Sequence, residues 1–199
     1  MNKIITIGRE FGSGGRELGR RLAEELGIAY YDSEIVTEIA KRTELSEEYV
    51  RSIVERRPVN SYPIHIGRSF QLAGNYQPKA DQAVFAAQCA ILKEMAQKSD
   101  CIIVGCCADD ILKEFKPFKL FIYADMESKI ARCRKKVPAE SDMTDKELKK
   151  YIEGVDKNRN AYYEYYTGKK WGNKLNYDLL INTSNVDIKY IVPYVAKIV

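Results

Sequence analysis

Residues 4–7 form an apolar run closed by Gly8, and after a glycine-rich stretch Leu18, Leu22 and Leu26 recur every four residues up to Gly27. Short continuous apolar runs suit buried strands and a period near 3.6 suits helices, so the chain is predicted to begin strand, loop, helix, with Gly27 ending the helix. Residues 28–31 predict a second short strand. Asp32-Ser33 then precede a helix whose apolar face is Ile35, Val36, Ile39 and Ala40, and Ser46-Glu47-Glu48 opens another with its acids in the first turn. Residues 57–79 carry Pro58, Pro63, Pro78, Gly67 and Gly74 without a period and predict a largely irregular segment. A helix pattern returns over 81–97 through Val84, Ala87, Ile91 and Met95. Further strands are predicted at 101–104, 119–123 and 177–181. Between the last two lie two helices separated by Pro138, the second over 145–166 with an apolar seam at Leu148, Ile152, Val155, Tyr162 and Tyr166. Arg159 falls on that seam, where a cation is costly unless a carboxylate or a bound anion meets it. Strands separated by helices predict an α/β fold with a parallel sheet covered on both faces.

The chain has 199 residues, 45% hydrophobic and 30% charged, within the range of one α/β domain or a core with a small inserted lobe. No apolar run approaches the roughly 18–20 residues needed to span a bilayer, and the start enters a strand pattern without a leader-like segment, so a cytoplasmic protein is expected. Five cysteines (Cys89, Cys101, Cys106, Cys107, Cys133) lack C-x-x-C spacing and the one histidine is His65, so neither a disulfide scaffold nor a zinc site follows. The net charge of +4 is uneven: residues 127–174 hold 13 Lys/Arg against 8 Asp/Glu. That stretch suits an anionic ligand. Its interleaved aromatics also admit a nucleic-acid reading, but no RNA- or DNA-binding motif accompanies them.

The loop reads GREFGSGGRE over residues 8–17. Backbone N–H groups of a glycine-rich turn and the positive end of the following helix bind phosphate oxygens, and glycine lets the chain come close. The full pattern G-x-x-x-x-G-K-[ST] adds a lysine for the phosphates and a hydroxyl for Mg²⁺. With Gly14 as its second glycine, Arg9 stands at the first-glycine position, Gly15 at the lysine and Arg16 at the hydroxyl.

GREFGSGGRELGRRLAEELG, YYDSEIV, CIIVG with the following Ala-Asp, KLFIYAD with Arg132 and Arg134 on the next helix, VDKNRNAYYEYYTGKKWG and YDLLINTS together resemble the cytidylate kinase-like family. The likeness covers nearly the whole chain. It implies a P-loop, three-layer α/β/α core with a five-stranded parallel sheet, as one domain over 1–199 with a helical acceptor-binding insert at about 32–80 and a basic helical lid at about 126–160. It implies ATP with Mg²⁺ on the loop, at Arg9, Gly12, Ser13, Gly14, Gly15, Arg16 and Glu17, and a nucleoside monophosphate (CMP-like) or related small phosphate acceptor near Asp32, Ser33, Asp109 and Asp156. Arg16, or Arg9, supplies the missing lysine's charge, and Arg132 and Arg159 neutralise the group in transfer. No protein-only metal site is implied.

Three arginine positions of the resemblance are filled otherwise. Glu38 occupies one, Gly105-Cys106-Cys107 replaces G-R-D, and the lid pattern keeps Asp156 and Arg159 without its leading arginine. These changes leave a second reading open, a nucleotide-binding sensor without turnover. Several residues carry two readings. Cys106-Cys107 is a redox pair or core packing. Asp109 meets Mg²⁺ or a ribose, or caps with Asp110 a helix starting at Ile111. Asp32-Ser33 cap a helix, contact the acceptor, or do both. Tyr162, Tyr163, Tyr165 and Tyr166 stack on a base or dock the helix onto the core, and Lys169-Lys170-Trp171 close on a nucleotide or decorate a turn. Of Arg132 and Arg134, two apart on a helix, one reaches the site.

Overall fold

The computed structural model describes residues 2–54, 78–135 and 143–199. The elements run β1 (Ile4–Arg9), α1 (Gly15–Leu26), β2 (Ala29–Tyr31), α2 (Glu34–Thr43), α3 (Glu47–Val54), α4 (Pro78–Lys98), β3 (Cys101–Val104), α5 (Ala108–Ile111), β4 (Phe118–Tyr123), α6 (Met126–Arg134), α7 (Asp145–Thr167), β5 (Leu179–Asn182) and α8 (Ile188–Ala196). The five strands form one parallel sheet in the order β2-β3-β1-β4-β5.

Successive strand residues point to opposite faces, and this alternation builds the two apolar layers. Ile4, Cys101 and Ile103 bury against α2, α3, α4 and α5, whereas Ile5, Ile7, Ile102 and Val104 bury against α1 and α8. Leu18 and Leu22 of α1 are fully buried, each contributing about 1.5–3 kcal/mol. Because β1 continues into α1 on one face and β3 into α5 on the other, the crevice at the carboxyl ends of β1 and β3 is a switch point, where open α/β sheets bind ligands. α6 and α7 join through Cys133, Leu148 and Ile152, with Phe11 of the β1–α1 loop packed against them.

The strands, the helices and the parallel sheet follow the expectation, with four differences. α5 starts at Ala108, because Gly105, Cys106 and Cys107 take φ of 80, 57 and 53° and turn the chain early. Asp109 and Asp110 therefore lie inside its first turn and do not cap a helix from Ile111. Neither Asp32 nor Ser33 caps α2 through its side chain; the Asp32 carboxylate is drawn to arginines instead. α8 was unanticipated: Ile188, Val192 and Val195 bury at helical spacing, while exposed Pro193 reads as a breaker. The irregular segment expected at 57–79 lies outside the described residues except for the start of α4, as do the part of the expected insert at 55–77 and the part of the expected lid at 136–142. Among the described residues no helix is long and apolar enough to cross a membrane.

Candidate functional site

The β1–α1 connection turns on two residues of positive φ, Gly12 at 75° and Gly14 at 82°. Ser13 is fully buried between them; its hydroxyl donates to the Glu10 carbonyl at 2.8 Å, and its own carbonyl accepts from Thr183 Oγ1 at 2.7 Å. The loop is thus fixed from within and from the β5 end, with the amino end of α1 at its exit. Glycine-rich turns that open onto a helix amino end have the backbone N–H groups and partial positive charge that suit anions.

Two cavities meet there. The larger, about 1050 Å³, lies between the loop, α6, α7 and the turn at 185–188. The smaller, about 90 Å³, lies at the carboxyl ends of β1 and β3, with Asp32, Ser33, Arg51, Asp109 and Trp171 in its wall. The residues common to both walls are Arg9, Arg16 and Arg159.

Asp32 gathers two of these arginines: its Oδ2 meets Arg16 Nε at 2.7 Å and its Oδ1 meets Arg9 Nη2 at 3.5 Å. Arg16 is half-exposed, while Arg9 is largely buried and its Nε has no hydrogen-bond partner. Burial pulls the Arg9 guanidinium below its ordinary pKa and Asp32 opposes this. Arg159 spans from the Asp156 carboxylate at 3.7 Å to the Arg9 carbonyl at 3.3 Å, with its guanidinium carbon 5.5 Å from the centre of the Phe11 ring. The carboxylate required by a cation on the α7 seam is therefore Asp156.

Asp156 also ties α6 and α7 to the loop. It accepts from Phe11 N at 2.7 Å and from Lys129 Nζ at 3.2 Å, and the same ammonium meets Glu10 at 2.6 Å. Burial raises the Asp156 carboxyl pKa despite these donors. Lys129 and Glu10 were missed in the sequence. The available signal was Lys129 on the face of α6 that also carries Met126, Ile130 and Cys133, a lysine among apolar neighbours.

Arg132 lines the larger cavity, where its guanidinium donates to the carbonyls of Thr183 and Val186 while Nη1 has no partner. Arg134 instead pairs with Asp145 at 2.8 Å. Gly12, Gly14, Gly15, Arg16 and Glu17 line the larger cavity, whereas Asp32, Ser33 and Asp109 line the smaller. Asp109 is held by the Tyr163 hydroxyl at 2.7 Å, yet burial still raises its pKa. Burial pushes the Cys106 thiol up to about 11, with Arg9 opposing it, and Cys107 well above its ordinary value, which disfavours the reactive thiolate in both. Tyr162 and Tyr163 are buried, Tyr166 stacks on Phe85 at 3.9 Å and Tyr165 is exposed. Lys169 bridges to Asp110, and Trp171 packs edge-on against Phe121 beside the smaller cavity. Glu38 pairs with Arg42 on an exposed helix face, away from both cavities.

A family model described as "Cytidylate kinase-like family" matches residues 4–185. No curated protein matches the chain. Among solved structures, the chain is similar to an uncharacterized protein from Eubacterium ventriosum, with 26% identity, a TM-score of 0.71, and 99% of this chain and 98% of that one covered. It also resembles a shikimate kinase from Bacteroides thetaiotaomicron (14% identity, TM-score 0.59, 98% and 97% covered) and one from Acinetobacter baumannii in complex with shikimate (16%, 0.53, 100% and 92%). At these identities the shikimate kinases establish the fold alone, an α/β P-loop kinase-like architecture.

Proposed function

The chain belongs to the cytidylate kinase-like family, and from that premise we propose that it transfers the terminal phosphoryl group of ATP to a nucleoside monophosphate (CMP-like) or a related small phosphate acceptor. The observation that carries this reading is the shared wall of the two cavities: the residues on it are three arginines, Arg9, Arg16 and Arg159. Phosphoryl transfer asks little covalent chemistry of a protein and depends on positioning and on positive charge where the equatorial oxygens pass. In this reading ATP lies in the larger cavity with its phosphates on the loop at Gly12–Glu17, and the acceptor enters the smaller one beside Asp32, Ser33 and Asp109.

The donor set fits phosphates: a helix amino end, glycine-rich backbone, and a buried arginine with an orphaned Nε. Arg16 fills the loop's metal-binding hydroxyl position, so Mg²⁺ would come with the nucleotide and would take no ligand from that side chain. Bound there, it would neutralise charge on the triphosphate. Asp32 holds Arg9 and Arg16 in place until the phosphates take over as their anion. Asp156 does the same for Arg159 and, through Phe11 N, fixes the loop against α7. Arg132 orders the 183–186 turn that closes one side of the cleft.

A second reading, nucleotide binding without turnover, is favoured by Glu38 and Cys106 at arginine positions of the resemblance, since neither adds positive charge to the acceptor pocket. The two readings part on one assay: ADP formation from ATP and Mg²⁺ across CMP, the other nucleoside monophosphates and further small phosphate acceptors. Turnover with any acceptor is expected. ATP binding with no ADP formed across the whole panel rejects the transferase reading and leaves the sensor.

A further inference from the structure

Gly15 has an ordinary backbone conformation, so glycine is not required there by its dihedral angles. What excludes a side chain is Arg9: a Cβ built on Gly15 would lie 2.6 Å from Arg9 Cβ and 3.1 Å from Arg9 Cγ. Real Cβ atoms essentially never come as close as 2.6 Å, and the clash is with the Cβ of Arg9, which cannot swing away unless the end of β1 or the start of α1 moves. Position 15 is where a phosphate loop places its lysine, and position 9 is where it places its first glycine. One site or the other can hold a side chain. In the usual loop position 15 holds it; here position 9 does.

The far end of Arg9 needs its own space. A Cβ on Gly105 would overlap Arg9 Nη1, and Gly105 takes φ 80°, where side chains are disfavoured. The turn that carries Gly105 is pinned from below. Gln88, fully buried on α4, donates to the Cys106 carbonyl at 2.8 Å and accepts from the Tyr162 hydroxyl at 3.2 Å. Two glycines from separate parts of the chain thus make a slot for one arginine, which reaches the wall between the two cavities with its Nε unpaired.

Resting on the phosphoryl-transfer reading above, we infer that the loop's glycine and its cation have exchanged places, and that Arg9, seated in the slot of Gly15 and Gly105, is the group that grips the terminal phosphates. Arg16 stands at the rim, half-exposed on Asp32, in an accessory position. The exchange moves the cation from the α1 side of the loop to the end of β1. From there its planar fork faces the acceptor pocket as well as the donor cleft, which a lysine at position 15 would approach from the donor side alone.

The test is a reciprocal exchange read by binding, without reference to turnover. Wild type, Arg9→Met, Arg9→Gly, Gly15→Lys and the double Arg9→Gly/Gly15→Lys are titrated calorimetrically with ATP and with inorganic triphosphate, folding being checked by circular dichroism. Arg9→Met keeps Cβ and Cγ over Gly15 and removes the guanidinium while Arg16 still meets Asp32, so it is expected to fold and to lose roughly tenfold or more in affinity for both ligands. Gly15→Lys alone is expected to unfold or lose binding through the clash, and the double variant to bind better than either single change, because it rebuilds G-x-x-x-x-G-K. Arg9→Met binding both ligands like wild type overturns the relocation, whatever the other variants do. A folded Gly15→Lys with wild-type affinity overturns it as well. Wild type binding neither ligand overturns the phosphoryl-transfer reading itself, which separates the two failures.

Discussion

Arg16 is the loop cation that the sequence brings forward most readily, since it follows the last glycine, yet its side chain is half-exposed on Asp32. The Arg16 end of the pair is partly solvated, and the largely buried Asp32 keeps Arg9 as a partner when Arg16 is lost, so Arg16→Ala is expected to cost only about 0–1 kcal/mol of stability. Its effect belongs to the ligand: ATP affinity falls by roughly threefold to tenfold, the loss of one partly solvated charge-assisted contact. Calorimetry decides it, and unchanged affinity rejects a phosphate role for Arg16. Asp109 yields a pH effect. Its folded pKa is raised by burial, so the folded state holds the proton more tightly than the unfolded chain does. Its contribution therefore falls as pH rises from the ordinary aspartate range through the folded value. Asp109→Asn, which still offers Tyr163 an acceptor, is expected to raise the melting temperature near pH 7.5, with the gain fading towards pH 4, and to lower turnover if this carboxylate meets the acceptor. A gain of the same size at both pH values rejects the assignment. The choice between Arg9 and Arg16 was not legible in the sequence, because it turns on contacts of Arg9 with Gly15 and with Gly105, which lies far along the chain.

α6 and α7 meet the loop through Phe11, packed on their apolar cluster, and through polar groups, and the buried ammonium of Lys129 between Glu10 and Asp156 is the centre of the polar part of that joint. Removing one member of a buried ionic cluster leaves the others uncompensated, at a cost of about 3–5 kcal/mol. Lys129→Met is thus expected to lose about 3 kcal/mol in urea unfolding, and adding Glu10→Gln and Asp156→Asn to recover most of it. Equal stability of the single variant and wild type rejects the joint. Periodicity made the strands and most helices legible, since Leu18, Leu22, Ile35, Ile39, Leu148 and Ile152 each bury on the face their spacing implies. It failed where a local signal contradicted packing. Pro193 reads as a breaker, yet α8 tolerates it on the exposed side because Ile188, Val192 and Val195 cover α1. The left-handed turn at 105–107 moved the start of α5, a backbone feature that two cysteines do not announce. Lys129 was hidden by its type, since lysine on a helix is ordinarily solvated and its two carboxylates come from distant segments.

The molecule divides its work across the sheet's carboxyl edge, with a wide cleft on the α1–α6–α7 side, a narrow pocket over β1 and β3, and arginines on the wall between them. If the wide cleft takes the triphosphate, binding energy comes mostly from phosphates meeting charges that are otherwise held by Asp32 and Asp156. A ligand that binds only the folded state stabilises it by about 2.7 kcal/mol at a hundredfold excess over Kd. For a domain of this size each kcal/mol moves the melting temperature by roughly 2–4 °C, so ATP at that excess is expected to raise it by about 5–10 °C. ADP should act less strongly and adenosine hardly at all, since the base has no charged partner among these arginines. Raising the salt concentration should shrink the ATP shift, because the partly exposed charges at the rim are screened over a Debye length of about 8–10 Å. A thermal-shift series with ATP, ADP, AMP and adenosine at two ionic strengths measures this directly. A shift that follows the number of phosphates and weakens with salt matches the arginine wall; one as large with adenosine as with ATP would place recognition in the base and remove the reason for assigning the cleft to a triphosphate.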